Sequence, residues 1–245
     1  MNRMIKVKLA RLKKKYIHRA LQLYDLVLDT DESIKYRYLK NGYDNPNYYF
    51  SKDQLGFIHI PKTGGSSLHK MLEEYNNVYF VNLEIHKPIS KYCSPSEYGY
   101  FTVLRNPLNR VWSFYQMVLR SSDDYPYKKY ALQGLARFLE KCWASRNLAC
   151  RYISGQLTDE PSDKTLQLAN ANLKSFDTVI LFENFKEEST AFLKRFDVTF
   201  EELAHERKSN YRKPEISELK LIEKYNEFDV KLYDYWLEER KKIRN

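Results

Sequence analysis

Two stretches of the chain carry residue types whose spacing could do chemistry. The first, LGFIHIPKTGGSS at residues 55–67, ends an apolar run with one lysine, two glycines and two serines. Gly64 and Gly65 lack Cβ atoms, so the chain can turn sharply there and bring backbone N–H groups close to a negative ligand. Ser66 and Ser67 open a helix, whose first N–H groups are unpaired and whose dipole favours negative charge. Lys62 adds a mobile cation with three donors. The second stretch, TVLRNPLNRVWSFY at residues 102–115, puts Arg105 at the end of a strand, Pro107 at the start of a helix and Ser113 eight residues after Arg105. A strand-terminal arginine offers a planar fork of donors to phosphate oxygens, and a hydroxyl in the second helical turn can reach the same anion. Arg110 is the nearby reserve and reads equally well as a surface or packing residue. Two anion sites at two strand ends describe a ligand with two separated phosphate groups.

The elements that must position these residues alternate in type. β-branched and aromatic runs predict strands at Leu55–Ile60, Val78–Leu83, Tyr100–Arg105 and Thr178–Phe182. Helical periodicity predicts helices at Ser66–Tyr75, Leu108–Arg120, Lys129–Cys142, Lys164–Lys174 and Phe185–Phe196. A long terminal helix follows, with Leu221, Tyr225, Phe228, Leu232 and Trp236 on one face. Such alternation implies an α/β fold with a central parallel sheet flanked by helices. Ligands in such sheets bind beyond the carboxyl ends of the strands, where both stretches fall. Residues 55–245 are expected to form this domain, preceded by a basic helix and connector over residues 1–54.

The net charge of +9 is unevenly placed. Residues 1–28 hold eight basic side chains against Asp25, so they carry +7 and leave +2 for the rest. A nucleic-acid stripe over the body is thereby disfavoured. In that segment Ile5, Leu9, Leu12, Tyr16, Ala20, Leu23 and Val27 form one apolar stripe, either packed on the body or held at an anionic membrane surface. No run approaches the roughly 18 apolar residues of a membrane span. The three cysteines form no CxxC pair and no Asn-x-Ser/Thr acceptor occurs, which points to a cytoplasmic protein, peripheral to the membrane if the basic helix binds there.

The first loop is not the nucleotide-triphosphate cradle GxxxxGK[ST]. Lys62 precedes both glycines, and neither later strand ends in an aspartate that would hold magnesium. Ile60-Pro-Lys-Thr-Gly-Gly-Ser-Ser67 instead resembles the 5′-phosphosulfate loop of sulfotransferases that use 3′-phosphoadenosine 5′-phosphosulfate (PAPS). Its PKTGG form resembles the branch containing heparan sulfate 2-O-sulfotransferase and related carbohydrate enzymes. Weaker similarities at NLACRYISG (147–155), TVILFENF (178–185) and EKYNEFDVKLYDYW (223–236) extend the resemblance over most of residues 55–236.

The resemblance implies a P-loop-like three-layer sandwich and transfer of a sulfuryl group to a hydroxyl, most plausibly of a carbohydrate, without a metal. It implies that Lys62, Thr63, Gly64, Gly65, Ser66 and Ser67 bind the 5′ end of PAPS, with Arg105 and Ser113 on the 3′-phosphate. The acceptor hydroxyl attacks sulfur in line, phosphoadenosine phosphate leaves, and Lys62 meets the charge that grows on the bridging oxygen. His86 is the expected general base, since imidazole titrates near neutrality. Glu84 is its rival, because residues two apart in extended chain share a face. His59 reads as a core histidine, Glu183 receives no role, and RKSNYRK at 207–213 reads as a solvated loop, the alternative being a stretch that closes over the cofactor. Two other classes remain open: a nucleotide kinase or NTPase with an altered loop, and a non-enzymatic membrane-surface binding protein.

Overall fold

Four short strands hold the centre of the molecule. In the computed structural model, which describes residues 52–72, 80–81, 88–89, 93–157, 160–198 and 212–244, these are β1 (Leu55–Ile58), β2 (Phe80–Val81), β3 (Gly99–Leu104) and β4 (Thr178–Leu181). They pair in the order β2-β1-β3-β4, and every pairing is parallel. Leu55 stands opposite Gly99 and Ile58 opposite Thr102, while Phe101 to Leu104 run alongside Thr178 to Leu181. The chain moves from β1 to a neighbour on one side and then to β3 on the other. The switch point, where such sheets open a crevice beyond their carboxyl ends, therefore lies between β1 and β3.

Because successive side chains point to opposite faces, the strands feed two separate cores. Phe57, Phe101, Val103 and Ile180 pack with Leu68 and Leu72 of α1 (Gly65–Leu72) and with Phe192 and Leu193 of α7 (Phe185–Lys194). Aromatic rings dominate this side: Phe57 stacks on Phe101 with centroids 4.7 Å apart, and Phe101 on Phe192 at 4.9 Å. Such pairs contribute about 0.5–1.5 kcal/mol beyond the area they bury. Ile58, Tyr100, Leu104, Val179 and Leu181 face the other way. There they meet α2 (Pro107–Arg120), α4 (Leu135–Lys141), α5 (Leu148–Ser154), α6 (Asp163–Ser175), α8 (Ile216–Tyr225) and α9 (Glu227–Arg244). The short α3 (Lys128–Ala131) completes the helices among the described residues. None of them is long and apolar enough to cross a membrane.

Two predicted helices are each two. The run 129–142 breaks at Gly134, whose φ of 109° is open to glycine and strained for other residues, so α3 stops and α4 begins there. The terminal run breaks at Asn226, which leaves helical geometry with φ −130° and ψ 30°. Its side chain is committed elsewhere: Nδ2 donates to the Ile222 carbonyl, and Oδ1 accepts from Asn147 N–H at 2.9 Å. The segment 147–155, noted above only for its similarity, holds α5. The basic helix expected within residues 1–28, the connector to residue 51 and most of the predicted strand 78–83 lie outside the described residues, as does the 207–211 part of RKSNYRK.

Candidate functional site

The loop after β1 is shaped by two backbone positions in the left-handed region. Lys62 has φ 71° and Gly64 φ 89°. For a lysine that conformation costs on the order of 1–2 kcal/mol, and here it turns the Lys62 carbonyl toward the end of β3. Arg105 receives it there: its Nη1 donates to Lys62 O at 2.9 Å. Thr63 closes the turn from within, donating its hydroxyl to the Ile60 carbonyl at 2.8 Å. The first α1 bonds run from Ser67 and Leu68 to the Gly64 carbonyl. The N–H groups of Gly65 and Ser66 therefore open the helix ahead of its ladder, as helix starts do. The first turn holds no acidic side chain, so nothing there opposes an anion.

Gly65 has a second reason to be glycine. A Cβ there would lie 2.1 Å from Nε2 of His59. That imidazole is buried under the loop and stacks on Phe57 at 5.0 Å. His59 is thus a packing residue, as expected, and it sets how closely α1 approaches the sheet.

Three strand ends converge on Arg105. Its guanidinium lies 4.3 Å from the ring centroid of Phe182, which follows β4. The next residue, Asn106, caps α2 by accepting from the N–H groups of Leu108 and Asn109, and its own N–H donates to Glu183 Oε1 at 2.9 Å. Glu183 therefore ties the end of β4 to the start of α2, a structural part for a residue given no functional one.

The chain matches no protein-family model and no curated protein.

Of the residues selected by sequence, Lys62, Thr63, Gly64, Gly65 and Arg105 are brought together, with Ser66 and Ser67 exposed on the first turn of α1. Ser113 is buried on α2. It shares a helix face with Arg110, three residues earlier, but Arg110 and not Ser113 lines the recess beside the loop. His86 and Glu84 lie outside the described residues. Arg212 is engaged elsewhere: it stacks on Trp112 at 4.8 Å, its carbonyl accepts from Trp112 Nε1, and its guanidinium pairs with both carboxylate oxygens of Glu218.

The recess is walled by Ile60, Thr63, Arg105, Arg110, Asp229 and Tyr233 among others. Arg110 is 1% exposed and its Nη2 lies 3.7 Å from Asp229 Oδ2. That carboxylate also accepts from the N–H groups of Ala149 and Cys150 at the start of α5. In return, Asn147 Oδ1 accepts from the N–H groups of Phe228 and Asp229 at the start of α9. The two helices cap each other and hold Asp229 in place. Burial draws Arg110 below the ordinary arginine range, opposed by the charge of Asp229. It pushes Asp229 above the usual carboxylate range, opposed by Arg110 and the two N–H groups. Burial and the nearby Glu183 push the Tyr233 phenol up. A pairing of α2 with α9, so far apart in the chain, leaves no local signature by which sequence reasoning could have found it.

Proposed function

We propose that this protein is a PAPS-dependent sulfotransferase that acts on a hydroxyl of a carbohydrate, in a P-loop-like three-layer fold. The observation that carries the reading is the 2.9 Å bond from Arg105 to the Lys62 carbonyl. It joins the glycine loop after β1 to the cation after β3, at the switch point where a parallel sheet binds ligands. The residues suit a doubly charged donor. Gly65 lets α1 start close against the buried His59, and two arginines lie beside the loop.

When bound, the donor supplies the sulfuryl group, and the rest of the chemistry belongs to the chain. The N–H groups of Gly65 and Ser66, with the α1 dipole, hold the 5′ end, and Lys62 offsets negative charge there. Ser66 and Ser67 add hydroxyls, and Arg105 holds the 3′-phosphate; Ser113, buried on α2 and facing the interior, is not given that part. His86 takes the acceptor proton, with Glu84 as the alternative. A cytoplasmic location with residues 1–28 at an anionic membrane surface completes the reading.

The test is a thermal-shift comparison of 3′-phosphoadenosine 5′-phosphate with magnesium-ATP. Stabilisation by the first and not the second is expected, followed by sulfate transfer to a sugar acceptor. Stabilisation by magnesium-ATP alone would replace the reading with a nucleotide kinase or NTPase.

A further inference from the structure

The buried arginine of α2 is unlike the other buried cations of this molecule. Arg151 donates to the Leu157 carbonyl and to Glu160, and Lys128 donates to the carbonyls of Leu119 and Ser121. Arg110 has five N–H donors and no acceptor of its own. Among the described residues, none of its Nε, Nη1 and Nη2 atoms has a hydrogen-bond partner. Asp229, at 3.7 Å, stands beyond hydrogen-bond reach and spends its oxygens on α5. Leaving buried donors unsatisfied is costly, more so on a charged group. Arg105 lines the same recess, and two cations gathered beside a helix N-terminus favour the arrival of negative charge.

We propose that Arg110 is an anion-binding residue, and that the recess it shares with Thr63 and Arg105 takes one oxygen of a tetrahedral oxyanion, phosphate or sulfate, whose remainder sits on the start of α1. The size agrees. The recess has a volume of about 10 Å³, which suits a single water-sized group and excludes a whole phosphate. Asp229 then acts as a positioning residue: it balances the guanidinium and is itself fixed by mutual capping, so Arg110 stays in the wall of the recess. This inference rests on the anion-site half of the proposed function and is independent of which donor or acceptor the enzyme uses.

The experiment is an NMR titration of the full chain, carrying ¹⁵N-labelled arginine, with sodium sulfate against sodium chloride at matched ionic strength. The Arg110 guanidinium signal is assigned by its loss in Arg110→Lys. Saturable movement of that signal with sulfate and not chloride is expected, together with a loss of sulfate affinity of about ten-fold or more in Arg110→Lys. Should that variant fail to fold, Arg110→Met combined with Asp229→Asn removes both charges and serves for the assignment and for the affinity comparison alike. If sulfate moves the Arg105 signal and leaves Arg110 still, Arg110 is only the counter-ion of Asp229 and the proposal falls. A titration with 3′-phosphoadenosine 5′-phosphate separates the two claims: binding with Arg110 unmoved sinks this inference and leaves the sulfotransferase reading standing. Absence of any response to sulfate or to that nucleotide ends both.

Discussion

Replacing Gly65 with alanine asks whether the loop is held in shape by the histidine beneath it. The added Cβ would lie 2.1 Å from His59 Nε2, so His59 or α1 must shift by about 1.3 Å to reach an ordinary 3.4 Å contact. Neither yields easily. The imidazole is buried and stacked on Phe57, which is stacked in turn on Phe101. Overpacking of this kind costs about 1–3 kcal/mol, against at most about 1 kcal/mol that alanine contributes over glycine within a helix. An overlap this deep puts the cost in the upper part of that range, so the net expectation is a loss of about 1–2 kcal/mol, or a fall in melting temperature of roughly 2–8 °C for a chain of this size. Urea and thermal unfolding measure it, and calorimetry with 3′-phosphoadenosine 5′-phosphate reports the displaced N–H groups as weakened binding. His59→Ala in the Gly65→Ala background should recover stability, giving a coupling energy of about 1 kcal/mol or more in a double-mutant cycle. If Gly65→Ala proves as stable as the parent, or the two changes simply add, the packing argument is wrong.

Three further outcomes follow from the same contacts. Arg105→Ala should weaken 3′-phosphoadenosine 5′-phosphate binding by about ten- to a hundred-fold, the weight of charged hydrogen bonds, and weaken adenosine 5′-phosphosulfate by less, since Arg105 also holds the Lys62 carbonyl of the loop; equal loss for both ligands contradicts its assignment to the 3′-phosphate. Lys62→Ala should lower sulfate transfer by ~10²-fold or more, read by initial rates with saturating donor. Glu188 accepts from Leu181 N–H at 2.8 Å and pairs with both Nη atoms of Arg240. Although burial pushes its carboxyl up, Arg240 and that N–H hold it below the usual range. Its contribution is therefore present above the ordinary carboxylate pKa and lost as pH falls through the lower folded value. Glu188→Gln should cost about 1–3 kcal/mol near neutrality, and its melting curve should converge on the parent's as the pH is taken down toward 3.

Strands β1, β3 and β4 were legible because each is buried along almost its whole length, so it reads as an apolar run without alternation. The loop was legible for a related reason: lysine, two glycines and serines between a strand and a helix constrain the backbone locally. Arg105 was found by its place at a strand end. What escaped depends on partners distant in sequence. The break at Asn226 answers to Asn147, and the burial of Arg110 answers to Asp229 on α9; apolar periodicity carries neither. Ser113, selected by its spacing from Arg105, faces the interior one turn beyond the residue that lines the recess. Gly134 was visible as a glycine, but its left-handed backbone was not, so two short helices looked like one.

Helix α9 is made after all four strands, yet it brings the carboxylate that balances the deepest cation of the site and the arginine that pairs with Glu188, the residue joining α7 to β4. A ribosome-bound chain halted before residue 227 would already possess the entire sheet with its loop, and still leave Arg110 without a counter-charge. Premature stop codons in that last stretch should accordingly yield material recognised by chaperones and proteases as unfinished, and not a shortened but working protein.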